Sequence, residues 1–250
     1  MSLIKVAKRK DVTFDYVDGY AEVEVLKGEC DQAKFVRCSL QPGCSIKPAL
    51  YTTKEHSQVF MFLEGKGYVV TPRKGFNIEK NFSIFVPDYD TEEFEIVCST
   101  DSKKPLEFIH IITELNDYDK HCLWNSKMRL PRFRNLEDGW EYYEDFKSED
   151  VTSIMLMEHR NLGRLSCGAV LGEGPCEVGQ HIHDELKQWY IALPGTKMTY
   201  TAGDDSVVLE GGDISYTPTG YYHGTTVAEG DQLDYIWFEM VNDCYPGEID

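Results

Sequence analysis

His181-Ile-His183-Asp-Glu-Leu-Lys-Gln188-Trp-Tyr-Ile-Ala-Leu-Pro-Gly195, followed by Gly212-Asp-Ile-Ser-Tyr-Thr-Pro218-Thr-Gly220-Tyr-Tyr-His223, decides the reading of this chain. Side chains alternate across a β-strand, so His181 and His183 face the same side if their segment is extended. Gln188 opens the next apolar run, and the Pro218–Gly220 turn brings the chain back to deliver His223 from a third. Three imidazoles and one amide oxygen converging from separate strands form a site for one divalent transition metal: Mn, Ni, Fe or Zn. The competing reading, three unrelated polar residues on a half-exposed sheet, leaves that spacing without a reason.

Outward from this stretch the periodicity is that of strands. Gln58-Val-Phe-Met-Phe-Leu, Phe82-Ser-Ile-Phe-Val, Leu106-Glu-Phe-Ile-His-Ile-Ile and Leu233-Asp-Tyr-Ile-Trp-Phe-Glu-Met-Val are short, rich in β-branched and aromatic residues, and closed by Gly, Pro or Asp. Many such strands at regular spacing point to an all-β sandwich or barrel. The halves also repeat each other. Gln58 through Gly65 aligns with Gln188 through Gly195, Pro87 with Pro218, and Leu106-Glu-Phe-Ile with Leu233-Asp-Tyr-Ile. The three anchors keep one order and an offset of roughly 130 residues, as an internal duplication requires. The expected organisation is a first barrel over 1–118, a connector over 119–150 that packs on the barrels, and a second barrel over 151–250.

The second half resembles the cupin superfamily. Its first motif, His-x-His, three or four residues, Glu, six residues, Gly, is met by His181, His183, Gln188 and Gly195, with Gln in place of Glu. Its second motif is met by Gly212, Pro218, Gly220 and His223. The resemblance implies tandem double-stranded β-helix (jelly-roll) barrels, a bicupin, with His181, His183, Gln188 and His223 as metal ligands. The His-x-His, Gln and His set is similar to that of the small cupins that ketonise unsaturated uronates, and to some cupin lyases. In the first half, Tyr51, Thr53 and Glu92 fall at the histidine positions. That barrel is therefore expected to hold no metal and to serve as a structural or dimerising partner. His110 aligns with Trp237 and is expected to be a satisfied barrel histidine; His121 and His159 lie outside any motif.

A neutral Gln188 leaves the ion its full +2 charge, which favours Lewis-acid chemistry on a carbonyl or enol over reduction of oxygen. The expected function is a metal-dependent, non-redox isomerase or lyase acting on a small polar carbonyl compound such as a sugar acid. The rival functions are an iron-dependent dioxygenase and a non-catalytic metal- or sugar-binding cupin. Acid/base candidates are Glu239, Tyr235 and Tyr216, with Tyr222 behind them, because Tyr235, Trp237 and Glu239 share one parity of the last strand. Tyr190 shares parity with Gln188 and is placed to hydrogen-bond a substrate oxygen, Lys187 points the other way, and no arginine is aimed at the site.

The balance of 25 Lys and Arg against 43 Asp and Glu, net −18, opposes nucleic acid and anionic membranes as partners. No apolar run reaches 18 residues, and the first residues lack a secretory apolar region, so a cytoplasmic protein with a small-molecule, carbohydrate-derived substrate is expected. Eight scattered cysteines without a CxxC read as reduced thiols. A homodimer is allowed by this reading.

Overall fold

The computed structural model describes residues 2–51, 54–78, 82–88, 92–125 and 129–245. Strands dominate, with one α-helix among the described residues, Asp117–Asn125. The chain divides into two compact units, each built from two antiparallel sheets. In the first, a six-stranded sheet centres on His56–Glu64 and Leu106–Glu114, beside a four-stranded sheet that includes Gly67–Val70 and Glu95–Cys98. In the second, a seven-stranded sheet centres on Leu186–Ala192 and Tyr235–Val241, beside a four-stranded sheet that includes Cys176–His181 and His223–Val227. Five strands of the larger sheet and all four of the smaller follow the same order in both units, so the repeat seen in sequence is a repeat of topology.

The units do not follow linear cuts at 118 and 150. One comprises Met1–Asp11, His121–Ser126 and Asp138–Asp250; the other comprises Val12–Lys120 and Lys127–Glu137. The reason lies at the sheet edges, where unpaired N–H and C=O groups invite a further strand. Lys5–Ala7 pairs with Ile214–Thr217 of the second unit, and Arg132–Asn135 pairs with Ser83–Val86 of the first. Trp140–Tyr142 closes the other edge of the seven-stranded sheet against Thr152–Leu162. The segment expected to be a connector thus supplies edge strands.

Each unit has its own core. Phe60, Phe62, Phe85, Phe94 and Phe108 fill the first, with Phe60 and Phe94 edge-on at 5.5 Å. Tyr190, Tyr200, Tyr235 and Trp237 line the second. Turns at Gly195 (φ +95°) and Gly220 (φ +81°) use a backbone region closed to most side chains, which is why the motif has glycine there. All eight cysteines carry free thiols.

His110 is satisfied within its barrel, as expected: it donates from Nε2 to Gln58 Oε1 at 2.9 Å and stacks on Phe60 at 4.2 Å. Gln58 in turn donates to the Ala49 carbonyl at 3.0 Å. Burial, with the Lys34 charge adding to it, lowers His110 from an ordinary 6.5 to about 4. A lowered histidine pKa means that the unfolded chain takes up the proton first, so stability is lost as pH falls from 6.5 toward 4. Between pH 7.5 and 5 the loss from this one ring is about 2 kcal/mol. Urea unfolding of metal-free protein at the two pH values should show His110→Phe losing that much less stability than the parent on acidification.

Candidate metal centre

His181 ends the strand Cys176–His181, His223 begins His223–Val227, and the two lie directly opposite in the antiparallel ladder. Their ring centroids are 4.2 Å apart. His183, two residues on, brings its ring to 5.0 Å from His181 and 5.5 Å from His223. The available ligand nitrogens of all three lie within 4.8 Å of one another.

The backbone sets how these rings are presented. His181 donates from Nδ1 to the Gly179 carbonyl at 2.9 Å, and His223 from Nδ1 to the Tyr221 carbonyl at 2.8 Å. That fixes the tautomer and leaves the Nε2 lone pair of each ring as the ligating atom. His223 is 3% exposed, and its Nε2 is buried with no hydrogen-bond partner. An orphaned buried acceptor costs about 1–3 kcal/mol, a cost that a bound ion removes. Burial, followed by the neighbouring His181, lowers His183 to about 4 and His223 to about 3. Both are then neutral near pH 7, the form that a metal requires. The residues present therefore fit a divalent ion.

Gln188 is on the inner face of Leu186–Ala192, opposite Glu239 of Tyr235–Val241, and donates from Nε2 to Glu239 Oε1 at 3.0 Å. With its nitrogen committed there, the amide oxygen is the one ligating atom it retains. Glu239 is 8% exposed, and burial raises its carboxyl from 4.5 to about 7, against the opposing effect of the Gln188 bond.

Glu239 lines a cavity of about 210 Å³ together with His181, His183, Tyr190, Tyr235 and Trp237. Tyr190 and Tyr235 pack at 4.5 Å, are buried and wall the pocket. Gly168 makes room for the indole: a Cβ there would stand 2.4 Å from Trp237 Cζ2 and from the Ile154 carbonyl oxygen. Tyr216 does not reach this cavity. It shares the opposite sheet face with Trp189, at 5.1 Å, and it is Ser215 and Thr217 that stand opposite Tyr190 and Gln188. Tyr222 is 60% exposed and does not line the cavity either. Lys187, adjacent to Gln188, is half-buried.

Sequence reasoning missed one whole wall. Tyr142, Glu144, Phe146 and Lys147, from the segment read as a connector, line the cavity. Phe146 stacks on His181 at 4.2 Å. The cation at the site is a lysine: Lys147 pairs with Glu144, donates to Ser153 Oγ at 2.7 Å and lies 5.3 Å over the Tyr142 ring. The sequence carried only part of the signal, the alternation Tyr142, Glu144, Phe146; Lys147, of the other parity, joins that wall through a turn in which its N–H donates to the Glu144 carbonyl at 3.1 Å. His159, to which no role was given, also lines the cavity, with its ring facing Trp237 at 6.4 Å. His121 bonds Asn125 on the helix. In the first barrel, Glu92 and Asp88 both pair with Arg73, the latter at 3.0 Å, Tyr51 faces His56 at 5.4 Å, and Thr53 lies outside the described residues.

Among solved structures, a putative glyoxylate induced protein from Pseudomonas aeruginosa superposes with a TM-score of 0.76 at 12% identity, over 97% of this chain and 90% of its own. A cupin 2 conserved barrel domain protein from Leptotrichia buccalis gives 0.63 at 13%, over 96% and 98%. The fold is the cupin fold. An oxalate decarboxylase from Lactobacillus farciminis, solved as a formate complex, gives 0.66 at 13%, covering 96% of this chain and 86% of its own. No family model matches the sequence. No curated protein matches it either. Among the described residues, no helix of this cupin-fold chain is long and apolar enough to cross a membrane.

Proposed function

We propose that the second barrel is a metal-dependent enzyme, an isomerase or lyase that moves a proton on a small polar carbonyl compound such as a sugar acid. The observation that carries this reading is one buried carboxyl, Glu239, held by Gln188 at 3.0 Å in the wall of the same cavity as His181 and His183. His181, His183 and His223 would hold the ion, with the Gln188 amide oxygen as fourth ligand. A divalent ion there supplies Lewis acidity toward a carbonyl or hydroxyl oxygen. Glu239 takes or returns the proton at the substrate carbon, and Tyr235 and Tyr190 exclude water from that wall. Lys147, paired with Glu144, places in the cavity wall an ammonium donor to which a substrate carboxylate or hydroxyl can hydrogen-bond. At about 210 Å³ the cavity is below the roughly 300–1,000 Å³ usual for drug-sized ligands, which restricts it to small molecules.

The test is solvent-proton exchange. Metal-loaded protein is incubated anaerobically in deuterium oxide with unsaturated uronates and with 2-oxo and 2-hydroxy acids, and NMR follows deuterium at carbons next to the carbonyl. Metal-dependent deuteration or turnover of one of these acids is expected. Oxygen uptake with iron-loaded protein and no anaerobic exchange would replace this reading with a dioxygenase. Ligand-induced thermal stabilisation without exchange or turnover would replace it with a binding protein.

A further inference from the structure

The first barrel carries a cavity of its own, about 450 Å³, on the inner face of its six-stranded sheet. The register aligns this face in rows. Lys34, Ile112 and Gln58 form one row, Val36, His110 and Phe60 the next, and Cys38, Phe108 and Phe62 the third. In the second barrel, Gln188 likewise lies opposite Glu239, and Tyr190 opposite Trp237. Ile112 therefore stands where the other barrel has its carboxyl. The acid/base group is gone; Phe60 and Phe108 are packed shut beneath the cavity, and its apolar and aromatic wall is made by the half-buried Tyr20, Ile46, Tyr51 and Ile112.

The polar groups of this cavity are distributed unevenly. His110 and Gln58 satisfy each other, and Glu22 is taken by the Tyr20 hydroxyl at 2.7 Å. Lys34 is shared with Glu24 at 3.3 Å. Lys47 also lines the cavity and has no ion-pair partner among the described residues. An apolar, aromatic wall beside an ammonium group with no ion-pair partner suits a ligand with a flat apolar body and one negative end.

We propose that the first barrel is a second, metal-independent binding site for a small ring-bearing carboxylate, its ring against Tyr20, Tyr51 and Ile112 and its carboxylate on Lys47. This stands independently of the function proposed for the other barrel. Benzoate is the probe, titrated by calorimetry into full-length, metal-stripped protein carrying His181→Ala, so that the three-histidine centre is absent. Saturable binding with a dissociation constant on the order of 1 mM is expected, as for other ligands of this size. Lys47→Glu, an exposed substitution, should weaken binding by about tenfold or more, and benzyl alcohol, without the charge, should bind at least about tenfold more weakly than benzoate. Ile112→Trp, which fills the cavity from its half-buried wall, should abolish binding while circular dichroism and melting show a folded chain. If that variant does not fold, Lys47→Glu and benzyl alcohol decide alone. No saturable binding of benzoate up to about 10 mM, or binding indifferent to Lys47→Glu, would overturn the proposal.

Discussion

His223→Ala should lower the affinity for a divalent ion by at least about 100-fold and reduce bound metal from about one per chain to near none. The expectation exceeds the roughly 10–100-fold cost of altering groups that merely support metal ligands, because His223 supplies a ligand itself. Its Nε2 is the buried atom left without a partner, and its Nδ1 proton is already fixed on the Tyr221 carbonyl. Alanine removes the nitrogen and leaves two rings, His181 and His183, to hold the ion. The folded metal-free protein should tolerate the change, since the ring that is lost holds a buried Nε2 with no hydrogen-bond partner. Elemental analysis beside a melting curve checks both halves. Full metal content in a folded His223→Ala protein would place the ion elsewhere.

Glu239→Gln should cut kcat by about 10²–10⁴ with metal content and KM little changed, the usual contribution of a positioned general acid or base. The amide keeps an acceptor for the Gln188 nitrogen, so the pocket keeps its shape while losing the group that carries a proton. A second readout separates this from a structural effect. Because burial raises the folded carboxyl to about 7, from 4.5, the folded state holds a proton that the unfolded chain releases between those values. Stability of the metal-free protein therefore falls as pH rises from 4.5 through 7, by at most about 3 kcal/mol. Glu239→Gln removes that loss, so at pH 8 the variant should be the more stable protein in urea even as its turnover collapses. Unchanged kcat would remove Glu239 from the chemistry.

The ligand histidines were legible because their placement follows from short-range rules: two residues of one parity, a Pro-x-Gly turn, and a third strand. The duplication was legible for the same reason, since Gln58 and Gln188 open matching strands with matching partners, Ile112 and Glu239. Tyr216 was misjudged because the seven-stranded sheet is buried on both faces. Every residue of Tyr235–Val241 is buried, so alternation of apolar and polar residues does not separate the barrel interior from the reverse side. The exchange of edge segments was not legible at all: Lys5-Val-Ala is three residues long, and a strand that short has no period to read. Glu144 lay between these cases, since its alternation with Tyr142 and Phe146 was visible but nothing local said which surface it would face; Lys147 reaches the same wall through a turn, which alternation does not show.

We propose that three imidazoles of the second barrel, those of His181, His183 and His223, hold one divalent ion. The most direct test is pulsed EPR on protein loaded with Mn(II), reading the nitrogen couplings, with the bound metal counted on the same sample. One ion per chain carrying couplings from three histidine nitrogens, with the bound ion itself lost in His183→Ala as in His223→Ala, is the predicted result. An ion coordinated by oxygen alone, or no bound ion after reconstitution, would contradict the claim.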